Sequence, residues 1–377
     1  MSVEFRYAKP EDYPAISRFL HEHWAENHIY TRSRALFDWS FGRTDCWDGD
    51  TYSFAVAEEG GELVGILGGI PFVLNSFGKK SRGVWIVNYV IRPDHRKGSG
   101  AFKLLSMFRG TPFDATVAFG ITQESTVIYR VLRGQVLDPI PRHFAVLPKA
   151  GDRMASLLSL TYSDWPAERI QTLVSQLELP YVPTSGATFR HALSAEWDEQ
   201  HWPRFAEQSI GAERDSAYLR WRYQQHPCFG HQFITCSDKD RAGLAVWRLE
   251  TIRRDTPDGR VDVDRIGRLL EFLPVSEKNA ADLFSEFIRQ LHDADALGAD
   301  FYGYHGQSRA WLKGLRFHCA SDLTDGEAIP ARFQPLDRKG GKVLSAMFVP
   351  SGFPPCTTKD DCPWYWTKSD SDQDRPN

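Results

Sequence analysis

Long apolar runs are missing from this chain: none of its 377 residues lies in a stretch approaching the roughly 18 to 20 apolar residues that a bilayer-spanning helix needs. Concentrated charge of one sign is missing too. Lys and Arg total 45 and Asp and Glu 49, a formal charge of −4 without clusters, which argues against a nucleic-acid or anionic-membrane surface. Cysteine is scarce, and Cys46, Cys228, Cys236, Cys319, Cys356 and Cys362 lack the paired spacing of a zinc site or a disulfide framework, so no metal site is expected. Cys356 and Cys362, separated by five residues and with no histidine pair nearby, read as idle thiols, a local redox pair being the alternative. The opening Met-Ser-Val-Glu-Phe-Arg does not read as a signal peptide, and the expected location is the cytoplasm. What is present, 42% apolar and 25% charged residues, is globular material long enough for two cores.

Residues Glu11 to His28 carry Tyr13, Ile16, Phe19, Leu20 and Trp24 at helical spacing behind a Pro10-Glu11-Asp12 start. Tyr52 to Ala57 and Leu63 to Leu74 are β-rich runs joined through Gly60 and Gly61, which predicts a hairpin. A third strand, Val84 to Ile91, leads into Arg92-Pro93-Asp94-His95-Arg96-Lys97-Gly98-Ser99-Gly100 and then into an amphipathic helix, Ala101 to Arg109. Ala115 to Ile121 predicts another strand, and Gln123 to Arg133 a short helix that Gly134 closes.

The strand, glycine loop and helix together favour an anion. Glycines let the backbone approach a phosphate, the first helical N–H groups point outward, and the helix dipole adds positive charge. His95, Arg96 and Lys97 reinforce that field. A purely conformational turn is the competing explanation.

The order of these elements, with the loop His95 to Ala101, resembles the GNAT superfamily of CoA-dependent N-acyltransferases, whose signature is Gln/Arg-x-x-Gly-x-Gly/Ala. The likeness covers Val3 to Val146. Gly98 and Gly100 occupy the two glycine positions, while His95 stands where the family has Gln or Arg, with Arg96 as the substitute. The resemblance implies acyl-CoA as co-substrate, held by His95, Arg96, Lys97, Gly98, Ser99, Gly100 and Ala101. It also implies backbone pairing of Tyr89 and Ile91 with the pantetheine arm, and a Tyr129 that protonates the departing thiolate.

Ala35-Leu36-Phe37-Asp38-Trp39-Ser40-Phe41 recurs as Ala217-Tyr218-Leu219-Arg220-Trp221-Arg222-Tyr223, each copy ahead of a hairpin pattern, the second at Phe233 to Arg248. Strand, helix, strand and helix follow at Ile266 to Leu273, Ala280 to Leu291, Asp300 to Tyr304 and Ser308 to Lys313. Where the second phosphate loop would fall, the chain reads Pro274-Val275-Ser276-Glu277-Lys278-Asn279, without glycine, so the second copy is expected not to bind CoA.

The expected fold is α+β, two tandem GNAT-like domains, each a mixed, mostly antiparallel sheet flanked by helices. The boundaries are 1–149 for the CoA-binding domain, 150–187 for a linker, 188–349 for the acceptor-side domain and 350–377 for a tail. If docked, that tail brings Asp372, Asp374 and Arg375 either to a polar acceptor pocket or merely against the surface. Among tandem GNAT chains the likeness is greatest to bacterial sugar N-acyltransferases, which implies a nucleotide-linked amino sugar as acceptor and a place in cell-surface polysaccharide synthesis.

Transfer to an amine requires removal of its proton. Glu124 and His305, each just after a predicted strand, are the candidate bases, with His23 and His28 behind them; a helix-end carboxylate and a backbone-bonded turn histidine are their structural readings. The oxyanion donor is expected to be a backbone N–H near Val90 or Ile91. Trp39 and Trp221 either stack on a ligand or pack a core, while Asp38, Arg220 and Arg222 are the candidate acceptor contacts, the arginines suiting a diphosphate. Competing functions are acyl or aminoacyl transfer to a peptide, a thiol cofactor or an antibiotic, and acyl-CoA sensing without turnover.

Overall fold

The computed structural model describes residues 2–47, 49–236, 243–255, 259–334, 336 and 342–375. The first half supplies strands β1 (Glu4–Tyr7), β2 (Phe54–Glu59), β3 (Glu62–Ser76), β4 (Lys79–Ile91), β5 (Ala115–Phe119), β6 (Gln135–Leu137) and β7 (Arg142–Val146). The rest supplies β8 (Phe189–Arg190), β9 (Ile210–Ala212), β10 (Gln232–Cys236), β11 (Gly243–Asp255), β12 (Val261–Pro274), β13 (Gly298–Tyr302), β14 (His318–Cys319), β15 (Ser345–Phe348) and β16 (Trp364–Tyr365). The expected hairpin is β2–β3, turning at Gly60 and Gly61, both with positive φ. Its second-half counterpart is β10–β11, whose expected turn, 237–242, lies outside the described residues. β4 begins five residues before the expected Val84, because Phe77 and Gly78 adopt positive φ and fold it back on β3 as a second hairpin.

Two sheets result, with orders β1-β2-β3-β4-β5-β15-β6 and β14-β7-β13-β12-β11-β10-β8; β9 adds to β3 and β16 to β9. Among the described strands, pairing is antiparallel except at β4–β5, β12–β13 and β9–β16. With helices such as Tyr13–His23 and Glu277–Asp293 packed on them, these sheets form the α+β architecture that the sequence predicted.

Strands are exchanged between the halves. β7, from the first half, lies between β13 and β14. β15, from the second half, lies between β5 and β6. The repeated aromatic segments meet as a pair: Trp39 and Trp221 stack at 4.8 Å, and each indole N–H donates to the other's backbone carbonyl, at 3.1 and 3.3 Å. They pack against each other, as expected of core aromatics.

The C-terminal segment is buried. Beyond the last β12–β13 pair, Leu269 opposite Phe301, the strands part and the segment fills the gap. The Tyr304 N–H donates to Trp366, the Lys368 N–H to Tyr302, the Ser369 hydroxyl to Leu270, and the Phe272 N–H to the Tyr365 hydroxyl. Buried cations pin it. Arg214 bonds Glu271 and Asp370, Arg248 bonds Asp374 at 2.8 Å, and Arg222 donates to the Ser369 and Ser371 carbonyls.

Candidate active site

The matching gap in the first sheet stays open. β4 and β5 run parallel as far as Ile86 and Ala118. Two residues on, the β3–β4 ladder slips: Ile66 faces Val90 and Gly68 faces Val87, so that Asn88 and Tyr89 share one opposing residue, with Asn88 at φ 52°. Such a bulge bends its strand and re-aims side chains. β4 and β5 diverge there around a cleft of about 510 Å³. Ile86 to Tyr89 form one wall and Ala118 to Thr122 the other, with Tyr129 at the side and His28, Asp372 and Arg375 among the residues that close it.

The glycine loop joins β4 to the helix Gly100–Ser106. Neither Gly98 nor Gly100 has positive φ, and an added Cβ would come no nearer than 3.7 or 3.9 Å to other atoms, so the fold itself does not demand glycine at either position. Ser99 makes no side-chain cap, which leaves the first helical N–H groups open. In the second half the corresponding helix, Glu277–Asp293, caps itself: the Ser276 hydroxyl accepts from the Asn279 N–H at 3.2 Å.

Side chains around the loop divide. His95 is held between Glu59 at 3.0 Å and Asp94 at 2.9 Å, whose hydrogen bonds raise its pKa and favour the imidazolium. Arg96 donates through Nε to the Ile91 carbonyl at 3.1 Å, occupying a group expected to face pantetheine. Lys97 is exposed and makes no ion pair among the described residues. The Tyr89 hydroxyl donates to the Ala101 carbonyl, tying the bulge to the helix.

Tyr129, on the helix Thr126–Val131, lines the cleft, and burial pushes its phenol pKa up, which keeps it protonated. Its ring lies against Phe348 of β15. The other sequence candidates lie elsewhere. Glu124 is exposed and outside the cleft lining, its carboxyl held below the usual range by a backbone N–H and by Thr122. His305 is buried in the second half, bonded to the Ser308 hydroxyl at 2.8 Å and lowered by burial to about 4. His23 sits near Glu22, outside the lining. Asp38 accepts from Tyr52 and Arg34, and Arg220 is exposed; neither lines the cleft. Arg222 holds tail carbonyls and is buried, so it does not present a fork to a diphosphate.

What the cleft does gather is His28, Asn88 and the tail. His28 Nδ1 accepts the Tyr30 N–H at 3.3 Å; burial, with a smaller contribution from Arg375, lowers its pKa to about 4. Asp372 pairs with Arg375 and accepts from Gln373 at 2.9 Å. Gln373 in turn donates to the Phe119 carbonyl at 3.3 Å, and an added Cβ on Gly120, at φ 73°, would meet Gln373 at 2.8 Å. Asn88 carried the one legible signal that was missed: a lone amide in the apolar run Val84 to Ile91 marks a break in the ladder. Among the described residues no group of three or more His, Cys, Asp or Glu could hold a metal ion, and no helix is long and apolar enough to cross a membrane.

No protein-family profile and no curated protein matches this sequence. Solved structures do match. Saccharomyces cerevisiae N-myristoyltransferase with bound myristoyl-CoA is similar at TM-score 0.54 and 12% identity, over 97% of this chain and 85% of that one. A GCN5-related N-acetyltransferase from Kribbella flavida matches at 0.51 and 13%, over 92% and 70%. One from Anabaena variabilis matches at 0.50 and 13%, over 80% of this chain and 66% of that one, just under two thirds of its length. A probable N-acyltransferase from Enterococcus faecalis is likewise spanned over 65% of its length. The two-sheet architecture has the fold of these GCN5-related N-acetyltransferases and of N-myristoyltransferase, in tandem.

Proposed function

We propose that this chain is a CoA-dependent N-acyltransferase. The observation that carries the reading is the parting of β4 and β5 at the Asn88 bulge, which opens a cleft, lined by Tyr129, on the strand that runs on into the glycine loop. The pyrophosphate lies on the N–H groups of the loop 95–101, and the pantetheine arm enters along β4. Asp372, the carboxylate lining the cleft, takes the proton from the acceptor ammonium directly or through water. The amine nitrogen then bonds to the thioester carbon, the C–S bond breaks, and the Tyr129 phenol protonates the thiolate. The solved relatives named as N-acetyltransferases and the one holding myristoyl-CoA support this chemistry.

The acceptor we favour is an amine on a nucleotide-linked sugar, with Arg332 and Arg375 in the cleft lining as the cations for its phosphates. Acyl or aminoacyl transfer to a peptide, thiol cofactor or antibiotic is the second reading. Acyl-CoA sensing without turnover is the third.

Calorimetric titration with acetyl-CoA tests the donor site. Gly98→Glu adds a carboxylate where the backbone leaves room, so it is expected to abolish binding without unfolding the protein. Undiminished binding removes the loop assignment. Thiol release with TDP- and UDP-amino sugars, compared with peptide amines, separates the acceptors; tight CoA binding without release from any amine supports the sensing module.

A further inference from the structure

Two buried side-chain donors lining the cleft lack a hydrogen-bond partner among the described residues: Nε2 of His28 and Nδ2 of Asn88. Their residues are only 6% and 8% exposed. A buried donor left unpaired costs about 1–3 kcal/mol, so two in one cleft mark the place of an absent acceptor. Geometry fixes what each offers. The Tyr30 backbone N–H points at His28 Nδ1, so that nitrogen carries the lone pair and Nε2 carries the hydrogen in the neutral ring. His28 therefore faces the cleft as a donor, not as the base that sequence position allowed. Asn88 stands on the bulge itself, where φ 52° turns it out of the β3–β4 ladder.

We infer that His28 Nε2–H and the Asn88 amide bind the carbonyl oxygen of the acyl thioester and hold its negative charge during transfer. This assignment rests on the acyltransferase reading above. As the amine nitrogen bonds to the carbonyl carbon, the π pair moves onto that oxygen, between the two donors. It returns as the C–S bond breaks and the sulfur leaves with its electron pair. An uncharged imidazole and an amide donate at constant strength across neutral pH, and neither competes for the proton that the amine must lose. Donors already fixed in place supply this stabilisation without reorganising as the charge develops.

His28→Asn and Asn88→Gly test this. The first substitution retains a side-chain oxygen to accept the Tyr30 N–H and cap the short helix Ile29–Arg32, but it withdraws the distal donor. The second keeps the left-handed backbone and removes the amide. The probes are acetyl-CoA and S-ethyl-CoA, a thioether without the carbonyl oxygen, compared by calorimetry, together with the infrared carbonyl stretch of bound [1-13C]acetyl-CoA. The unaltered protein is expected to prefer acetyl-CoA by about fivefold per donor and to lower the stretch frequency. Each substitution is expected to erase part of both effects while S-ethyl-CoA affinity stays within about twofold, and kcat for thiol release falls by about 100-fold. A carbonyl stretch unmoved by either substitution, or equal affinity for the two probes in the unaltered protein, overturns the assignment and leaves the acyltransferase reading standing. Failure of the unaltered protein to bind either probe overturns both.

Discussion

Replacing Arg214 by Met tests whether a buried cation holds the C-terminal segment against the second sheet. Arg214 bonds Glu271 of β12 at 3.1 Å and Asp370 of the tail at 2.7 Å, and all three side chains are fully buried. Met preserves much of the volume but strands two carboxylates, and breaking a buried ion pair from one side costs about 3–5 kcal/mol. With about 2.1 cal/mol/K of unfolding entropy per residue, a cooperative unit of 377 residues loses about 4–6 °C of melting temperature for that penalty. Acid should relieve it. Burial already raises the Glu271 pKa above the usual 4.5 while Arg214 opposes that shift, so the substitution raises it further. A carboxyl that titrates higher when folded than unfolded loses stability as pH climbs from 4.5 through the raised value. The deficit is therefore smallest near the acid end of that window and largest at neutral pH. Scanning calorimetry at about pH 5 and about pH 7.5, with proteolysis of the tail as a second readout, checks this. A melting temperature within about 1 °C of the parent, or a deficit equal at both pH values, refutes the reasoning.

Three further outcomes are expected. Tyr129→Phe lowers kcat for thiol release by about 10- to 100-fold while CoA affinity measured by titration stays within about twofold; a parallel fall in both assigns the residue to packing. Gly120→Ala strains a residue at φ 73° and pushes the Gln373 amide off the Phe119 carbonyl and the Asp372 carboxylate that it bonds. Its signature is lost turnover with retained CoA binding and about 1–3 kcal/mol of lost stability in denaturant titration. His28 titrates near 4 when folded against 6.5 when unfolded, so stability is lost as pH falls from 6.5 to about 4, by up to about 3 kcal/mol. His28→Asn removes that part of the acid limb, as pH-resolved melting curves would show.

Local pattern carried far into this fold. Alternation and helical spacing marked the β2–β3 hairpin, the strand before the glycine loop and the helix after it, because each of those faces is set by its own buried side chains. Partnership did not show. Nothing in Ser345–Phe348 says that it pairs with β5 and β6 rather than with its neighbours in sequence, since the periodicity of a strand names a face and not a mate. Arg222, a candidate diphosphate contact by residue type, lies instead in the widened turn Arg220–Gln224 and points inward onto tail carbonyls. The tail, rich in proline and aspartate, shows nothing locally of what buries it, because the arginines that neutralise its carboxylates lie far earlier in the chain. Of the cleft, Tyr129 was legible from its place on the short helix after β5, whereas no residue of the glycine loop is in the lining. The contributions of His28 and Asn88 depend on which of their atoms are left without a partner, a property only of the folded molecule.

The exchange of β7 and β15 bears on how the protein is made. During synthesis β5 emerges with one edge bare, and it stays bare until residue 348 has been added, because its mate is β15. An uncovered strand edge is a template for pairing with other chains, so a ribosome that stalls in the second half would release an aggregation-prone fragment. The second sheet takes one of its inner strands, β7, from the half made first, so the later half expressed alone would lack it. Neither sheet is a separable folding unit, and the cleft is completed only when Asp372 and Arg375 swing back across the finished pair.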